Sequence, residues 1–345
     1  METSLFRCFS SIITESPISI THFLAATVLI IAVIYFLFRS KSIYLIDFTC
    51  YCPPDILRVT KVNYIEHIET DKLVEEESIS FQAKALERSG IGVESCIPIL
   101  LHEIPVDISL GATTKETEMP FLPYAGHYFY DPEQFGFRSN IRSFNLSGMG
   151  CSAGILSISL AKDLLKVHRK SLALVLSMEA VTPNGYGGRE KSMLLPNILF
   201  RMGGAVILLS NRKHDKRIAK YELPHLVRTH IDLDDQAYQS VFQQPDEAGH
   251  LGVSLSRALL HVAVKALRNN MSELGPLVLP YTEQLQYGWS VIRKKLLLLP
   301  SQKGTYVPNF KKALEHFCVH AGGRGVLDCI VDSLKLHKED ENLQG

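Results

Sequence analysis

Residues 18–38, ISITHFLAATVLIIAVIYFLF, contain no Asp, Glu, Lys or Arg, and this run limits what the chain can become more than any other feature. At about 1.5 Å per residue, a helix of that length just crosses an apolar layer of about 30 Å. The sequence therefore predicts a transmembrane helix. A buried core helix is the other reading, although such helices are seldom apolar on every face. A cleaved signal peptide fits less well, because the run starts late and no small-residue cleavage site follows it. Arg39 and Lys41 follow at once, whereas Arg7, Glu2 and Glu15 precede. The positive-inside rule then places the C-terminal side in the cytosol.

The rest of the chain reads as folded. Of 345 residues, 46% are hydrophobic and 21% charged, and 36 Lys plus Arg balance 36 Asp plus Glu, so no electrostatic case for nucleic acid arises. The seven cysteines are odd in number and irregular in spacing. They suit free thiols in a reducing compartment, and no CxxC pair suggests a metal. On this topology the sequons at Asn145 and Asn270 are chance matches.

No internal repeat appears. Residues 70–90, TDKLVEEESISFQAKALERSG, predict an amphipathic helix closed by a C′ glycine. Residues 102–139 show neither helical nor strand period. IRSFNL (141–146) then reads as a strand, residues 154–168 as a helix with Ile155, Ile158, Leu164 and Leu165 on one face, and SLALVLSMEA (171–180) as a buried strand. That order predicts a parallel βαβ unit and an α/β fold. GGAVILLS (203–210) is a further apolar strand, and residues 253–271 predict a long helix. Residues 309–335 predict a helix up to AGG and another after it. YTEQLQYGWSVIRKKLLLLP (281–300) carries Tyr287, Trp289 and leucines beside Arg293, Lys294 and Lys295. It suits a bilayer surface or a core helix with a solvated basic face.

Cys151 sits in NLSGMGCSAGI, where the strand-like run gives way to the helix-like one. A thiol at a helix N-terminus meets unpaired N–H groups and the positive end of the macrodipole, which favour thiolate, and the same groups suit a developing oxyanion. A small residue in a tight packing turn is the competing reading. A thiol nucleophile needs a proton acceptor or polar donors nearby. His316 and His320 in EHFCVH are four apart and, on a helix, share a face. They suit catalytic partners, ordinary surface or core histidines, or a metal pair that lacks a third ligand. His230 in RTHIDLDD is a weaker catalytic candidate.

IRSFNLSGMGCSAG, SMLLPNILFRMGGAVILLSN, GVSLSRALL, LGPLVLP and NFKKALEHFCVHAGGRGVLD, in this order after a membrane anchor, closely resemble the plant 3-ketoacyl-CoA synthases, the condensing enzymes of very-long-chain fatty acid elongation. The resemblance spans roughly residues 43–100 and 140–330. It implies a thiolase-like α/β fold of two related halves, stacking buried helices between sheets. The domains are then an anchor over 1–42, a nucleophile-bearing half over 43–210, and a C-terminal half over 211–345 that is cut short. It also implies an endoplasmic reticulum membrane protein whose main domain faces the cytosol.

By the family's mechanism, Cys151 takes an acyl group from a long-chain acyl-CoA as a thioester. Malonyl-CoA then loses CO2, and its carbanion attacks that thioester to give a 3-ketoacyl-CoA two carbons longer. His320 matches the main catalytic histidine, and His316 and His230 match accessory ones. Both CoA thioesters are substrates, and no cofactor or metal is implied. A homo- or heterodimer, or pairing with other elongase subunits, is the expected association, and a catalytically inactive relative acting only by such pairing is the alternative. Three departures stand out. The family's Asn-Thr-Ser-type motif is not found after HAGG, and Asn342 does not replace it. Residues 120–139 match no family pattern. GYGGREK (185–191) stands where the family usually has a Trp-Tyr pair.

Overall fold

The computed structural model describes residues 17–38, 42–71, 74–102, 138–178, 181–231, 234–296 and 306–336. Residues 1–43 and 44–345 form two separate units. The first contains helix α1 (Pro17–Phe38), 22 residues long. Phe23, Leu24, Val28, Leu29, Ile30 and Ile31 on it are exposed. The side chains described on α1 are those of residues 22–31 and 33, and among the described residues no helix is long and apolar enough to cross a membrane. Arg7, Arg39 and Lys41, which set the predicted orientation, lie outside the described residues, as do residues 120–137 of the 120–139 segment and Asn342.

The second unit is built on β1 (Tyr44–Tyr51), helices α2 (Lys61–Thr70), α3 (Glu76–Arg88) and α4 (Ala153–Val167), β2 (Leu172–Met178), α5 (Lys191–Leu199), β3 (Gly204–Ser210) and β4 (Tyr221–Glu222). There follow α6 (Asp235–Tyr238), the hairpin β5 (Val241–Pro245) and β6 (Leu251–Leu255), α7 (Ala258–Val278), α8 (Tyr281–Leu296) and α9 (Arg324–Leu334). The predicted helix over 70–90 is met by α3. Its C-cap is Ser89, and Gly90 follows with φ +79°, a conformation that suits glycine in the C′ position.

Four strands form one sheet in the order β2-β3-β1-β4, with every neighbouring pair antiparallel. This corrects the predicted parallel βαβ unit. Residues 141–146 form no ladder, and Ile141 and Phe144 are exposed. An apolar run reports that a segment can extend, not which neighbour it will pair with. GAVILLS lacks polar alternation, which suits a strand flanked on both sides, and it takes the centre, opposite seven residues of β2 and seven of β1. β2 lies at the sheet's edge, so Leu172 and Leu174 are exposed where a buried strand was expected.

Helix α4 packs on β2. Its C-terminal turn is held by Asn211, whose amide donates to the Leu165 carbonyl and accepts from the Ser171 N–H at 2.8 Å. The main core lies between α2, α3 and α5, where Val59, Tyr64, Leu86, Ile97 and Ile198 are buried together. The helix predicted over 253–271 starts later, at Ala258, because residues 251–255 pair with β5. Tyr186, from the departing GYGG segment, is buried against Met193 and Leu194. Its hydroxyl donates to Asp246 at 2.6 Å, and its backbone is held at both ends by the Asn197 amide.

Candidate active site

Cys151 lies in a one-turn 3-10 segment, Gly150–Ser152, that runs straight into the 15-residue α4. Gly148 and Gly150 take φ +71° and +52°, the left-handed region that a β-carbon disfavours. The glycines before the cysteine thus allow the reversal that turns the chain into the helix. Gly154 serves packing instead. A β-carbon there would come within 2.8 Å of the Ser177 Oγ, so its absence lets α4 approach β2 closely.

The start of α4 has no side-chain cap. Ser152 instead donates its hydroxyl to the Met149 carbonyl at 2.7 Å. The Ala153 N–H is taken by the Gly150 carbonyl, and no side chain caps the helix beyond it, so the positive end of α4 follows directly on an exposed thiol that is in no disulfide. Such a turn can stabilise a thiolate, or an oxyanion formed next to it.

His316 and His320 are not on a helix, which corrects the expectation of a shared helical face. After a short 3-10 turn at Phe310–Lys312 the chain loses helical hydrogen bonding. Along residues 316–320 exposure alternates, with His316, Cys318 and His320 exposed and Phe317 and Val319 half-buried. The period is that of an extended chain, in which alternate residues share a side. Phe317 and Val319 are strand-favouring and supply the apolar side, which explains why a helical spacing of histidines misled the sequence reading.

The chain turns just after His320. The Gly322 N–H donates to the His320 carbonyl at 2.9 Å, and a β-carbon on Gly322 would stand 3.2 Å from the imidazole Cδ2. A β-carbon on Gly323 would stand 3.8 Å from Leu199, at the end of α5. Five residues beyond Leu199 the same chain enters β3 at Gly204, opposite Met178 of β2. Gly154, three residues after Cys151, thus lies against Ser177 of β2, and Gly323, three residues after His320, against Leu199 at the end of α5.

His230 is exposed in an irregular segment after β4. Asn270 of α7 holds that segment, donating to the Val227 carbonyl at 3.1 Å and the Thr229 hydroxyl at 3.0 Å. Those bonds occupy the amide nitrogen of the sequon's asparagine. Two cavities, of about 200 Å³ beside Tyr64, His67 and His102 and about 130 Å³ beside Leu45 and Ile207, are lined by neither Cys151 nor the three histidines.

The sequence reading missed Glu283. It is fully buried on α8, and its carboxylate accepts from the Tyr306 hydroxyl at 2.7 Å, the Asn309 N–H at 2.9 Å and Lys312 at 2.6 Å. The backbone N–H, then Lys312 and Tyr306, hold its pKa down to about 2. Phe310 is buried near Gly275 in the same segment. NFKK is therefore the clamp that fixes where the histidine segment starts. The available signal was a lone acid in the first turn of a helix with no other acidic residue.

A family model described as FAE1/Type III polyketide synthase-like protein matches residues 35–129 and 133–296. Most of the 120–139 stretch, in which the sequence showed no family pattern, thus falls within it. A segment crowded with Pro, Gly and Tyr has no period to read, whereas a position-by-position comparison needs none. The chain is 48% identical to 3-ketoacyl-CoA synthase 7 of Arabidopsis thaliana, over 95% of this chain and 78% of that one. It is 41% identical to 3-ketoacyl-CoA synthase 5 of the same plant, over 95% and 73%. Among solved structures, it is similar to PKS-I from the brown alga Ectocarpus siliculosus, with a TM-score of 0.59 and 12% identity over 87% of this chain and 82% of that one. It is also similar to the C-terminal type III polyketide synthase domain of Steely1 from Dictyostelium, with a TM-score of 0.57 and 13% identity over 86% and 84%. At such identities the structural likeness establishes the α/β thiolase-like fold alone.

Proposed function

This chain belongs to the plant 3-ketoacyl-CoA synthase family, the condensing enzymes of very-long-chain fatty acid elongation, and from that premise we propose that its acyl transfer runs through Cys151. The uncapped N-terminus of α4 behind an exposed thiol carries this reading. The thiolate attacks the acyl-CoA carbonyl, and CoA leaves as its thiol once protonated. Malonyl-CoA then loses CO2, and the electron pair of the broken carbon–carbon bond forms a thioester enolate. The enolate carbon attacks the Cys151 thioester, a new carbon–carbon bond forms, and the Cys151 thiolate is released with a 3-ketoacyl-CoA.

His320 is assigned to donate a hydrogen bond to the malonyl thioester oxygen as negative charge develops there, with His316 and His230 in accessory roles. Gly322 supports this assignment, because it lies against the imidazole and keeps its place. The division into two related halves, over 43–210 and 211–345, and pairing with a second copy or with other elongase subunits belong to the same reading.

Membrane attachment through α1 is proposed with it, in the endoplasmic reticulum and with the catalytic unit on the cytosolic side. The charge-free run of residues 18–38 supports this reading, since a helix of that length would make about 30 Å. A long apolar substrate gives such an anchor its purpose. The test expresses the full chain in membranes, supplies a long-chain acyl-CoA and labelled malonyl-CoA, and follows label into 3-ketoacyl product. Wild type is expected to incorporate label and Cys151→Ala to fall to background. Equal background label in both would overturn the catalytic reading and leave a subunit that acts by pairing.

A further inference from the structure

We propose that the outward face of α8 docks on the surface of an anionic lipid bilayer. The helix has two sides. Glu283, Gln284, Gly288, Ser290 and Val291 are buried or half-buried on one, while Tyr281, Leu285, Trp289 and Ile292 are 83%, 73%, 64% and 50% exposed on the other. The exposed four recur at intervals of four, four and three residues, so at 3.6 residues per turn they form one continuous apolar stripe. Arg293 falls on one flank of the stripe, Lys295 on the other, and Lys294 is exposed in the same last turn.

The orientation of this helix is not loose. Glu283 points inward and is clamped by Tyr306, Asn309 and Lys312. Ser290 accepts from the Tyr306 N–H at 3.2 Å on the same side. With the polar side clamped inward, the apolar stripe is forced outward. Among the described residues, Arg293, Lys294 and Lys295 form no ion pair, so their charge is available to a partner.

A bilayer surface fits this chemistry better than a protein does. The centres of protein interfaces are depleted of lysine, whereas interfacial helices combine an apolar stripe sunk among the headgroups with cations that reach anionic phosphates. Trp and Tyr, with apolar rings and polar tips, favour that depth. The clamp also has a consequence for catalysis. Because Glu283 joins α8 to the segment that leads to His316 and His320, a docked α8 would hold that segment at a set attitude to the membrane from which an apolar substrate arrives.

Trp289 is the only tryptophan in the chain, so its fluorescence reports on α8 alone. The full chain is reconstituted in phosphatidylcholine vesicles with and without phosphatidylserine, carrying nitroxide-labelled acyl chains, and compared for quenching by the lipid and by aqueous iodide. This proposal leans on the α1 anchor only for reconstitution. With phosphatidylserine present, lipid quenching of about two-fold and protection from iodide are expected, both lost in the Arg293→Gln, Lys294→Gln, Lys295→Gln triple variant. Quenching by iodide as strong as for an exposed indole would overturn the proposal. So would protection from both quenchers, which would mean that protein covers the stripe. A chain that fails to float with vesicles at all overturns the anchor reading as well, whereas flotation with Trp289 in water overturns this one alone.

Discussion

Around Cys151 each small residue answers a separate demand. Gly150 supplies a positive φ, Gly154 a close helix-to-strand contact, and neither demand needs a substrate. The reading of this turn as mere packing and the reading of it as a nucleophile's seat therefore describe the same geometry, and retention or loss of acyl transfer in Cys151→Ala is what separates them. Gly150→Ala is expected to cost roughly 1–2 kcal/mol, measured by urea denaturation, since a β-carbon is strained at that φ. Gly322→Ala should leave the fold intact, as judged by thermal melting, yet reduce condensation on the order of 10- to 100-fold by moving the His320 ring a few tenths of an ångström. If that variant keeps full activity, His320 is not the residue that holds the thioester oxygen. The positions of Cys151 and of the glycines were legible in the sequence because turn chemistry is local. The non-helical conformation around His320 was not, because it goes with the half-burial of Phe317 and Val319 on one side of the segment, which local spacing does not report.

Among the secondary-structure elements, α8 shows how a single buried acid can set orientation. The Glu283 carboxyl is held from its ordinary 4.5 down to about 2. A carboxyl depressed in the folded state adds stability above its unfolded pKa and loses it as the pH falls through the folded one. The clamp is therefore fully stabilising at neutral pH and is lost between about pH 4.5 and 2. Glu283→Gln should lower the melting temperature at pH 7, and the gap between variant and wild type should narrow as the pH falls across that window. A gap that stays constant would show that the charge is not what holds the helix. In the helical core, Ile198 is fully buried among Val59, Tyr64, Leu86 and Ile97. Ile198→Ala is expected to cost about 2–5 kcal/mol by chemical denaturation, from lost burial and a cavity. Helices and strands themselves were largely readable: α3, α4, β2 and β3 form close to where the periodicity put them. Their partners were not, since β2 pairs antiparallel with β3 where a parallel partner at residues 141–146 had been expected.

For the molecule as a whole, residues 1–43 and 44–345 are separate units, and the proposed anchor makes a simple prediction. The full chain should stay with membranes through an alkaline carbonate wash and be released by detergent. Release by carbonate would leave α1 without a spanning role and attach the chain, if at all, through its surface. The sequence by itself determined the family, the α/β composition, the turn at Cys151 and the apolar length of α1, because each depends on residues near one another in the chain. The tertiary structure alone decided the antiparallel order of the sheet, the non-helical segment of His316 and His320, the Glu283 clamp and the outward turn of the α8 stripe. These depend on partners far along the chain, such as Tyr306 and Glu283, 23 residues apart, or Tyr44 and Ser210, 166 apart. Local periodicity carries no information about which distant surface will compete for a given face.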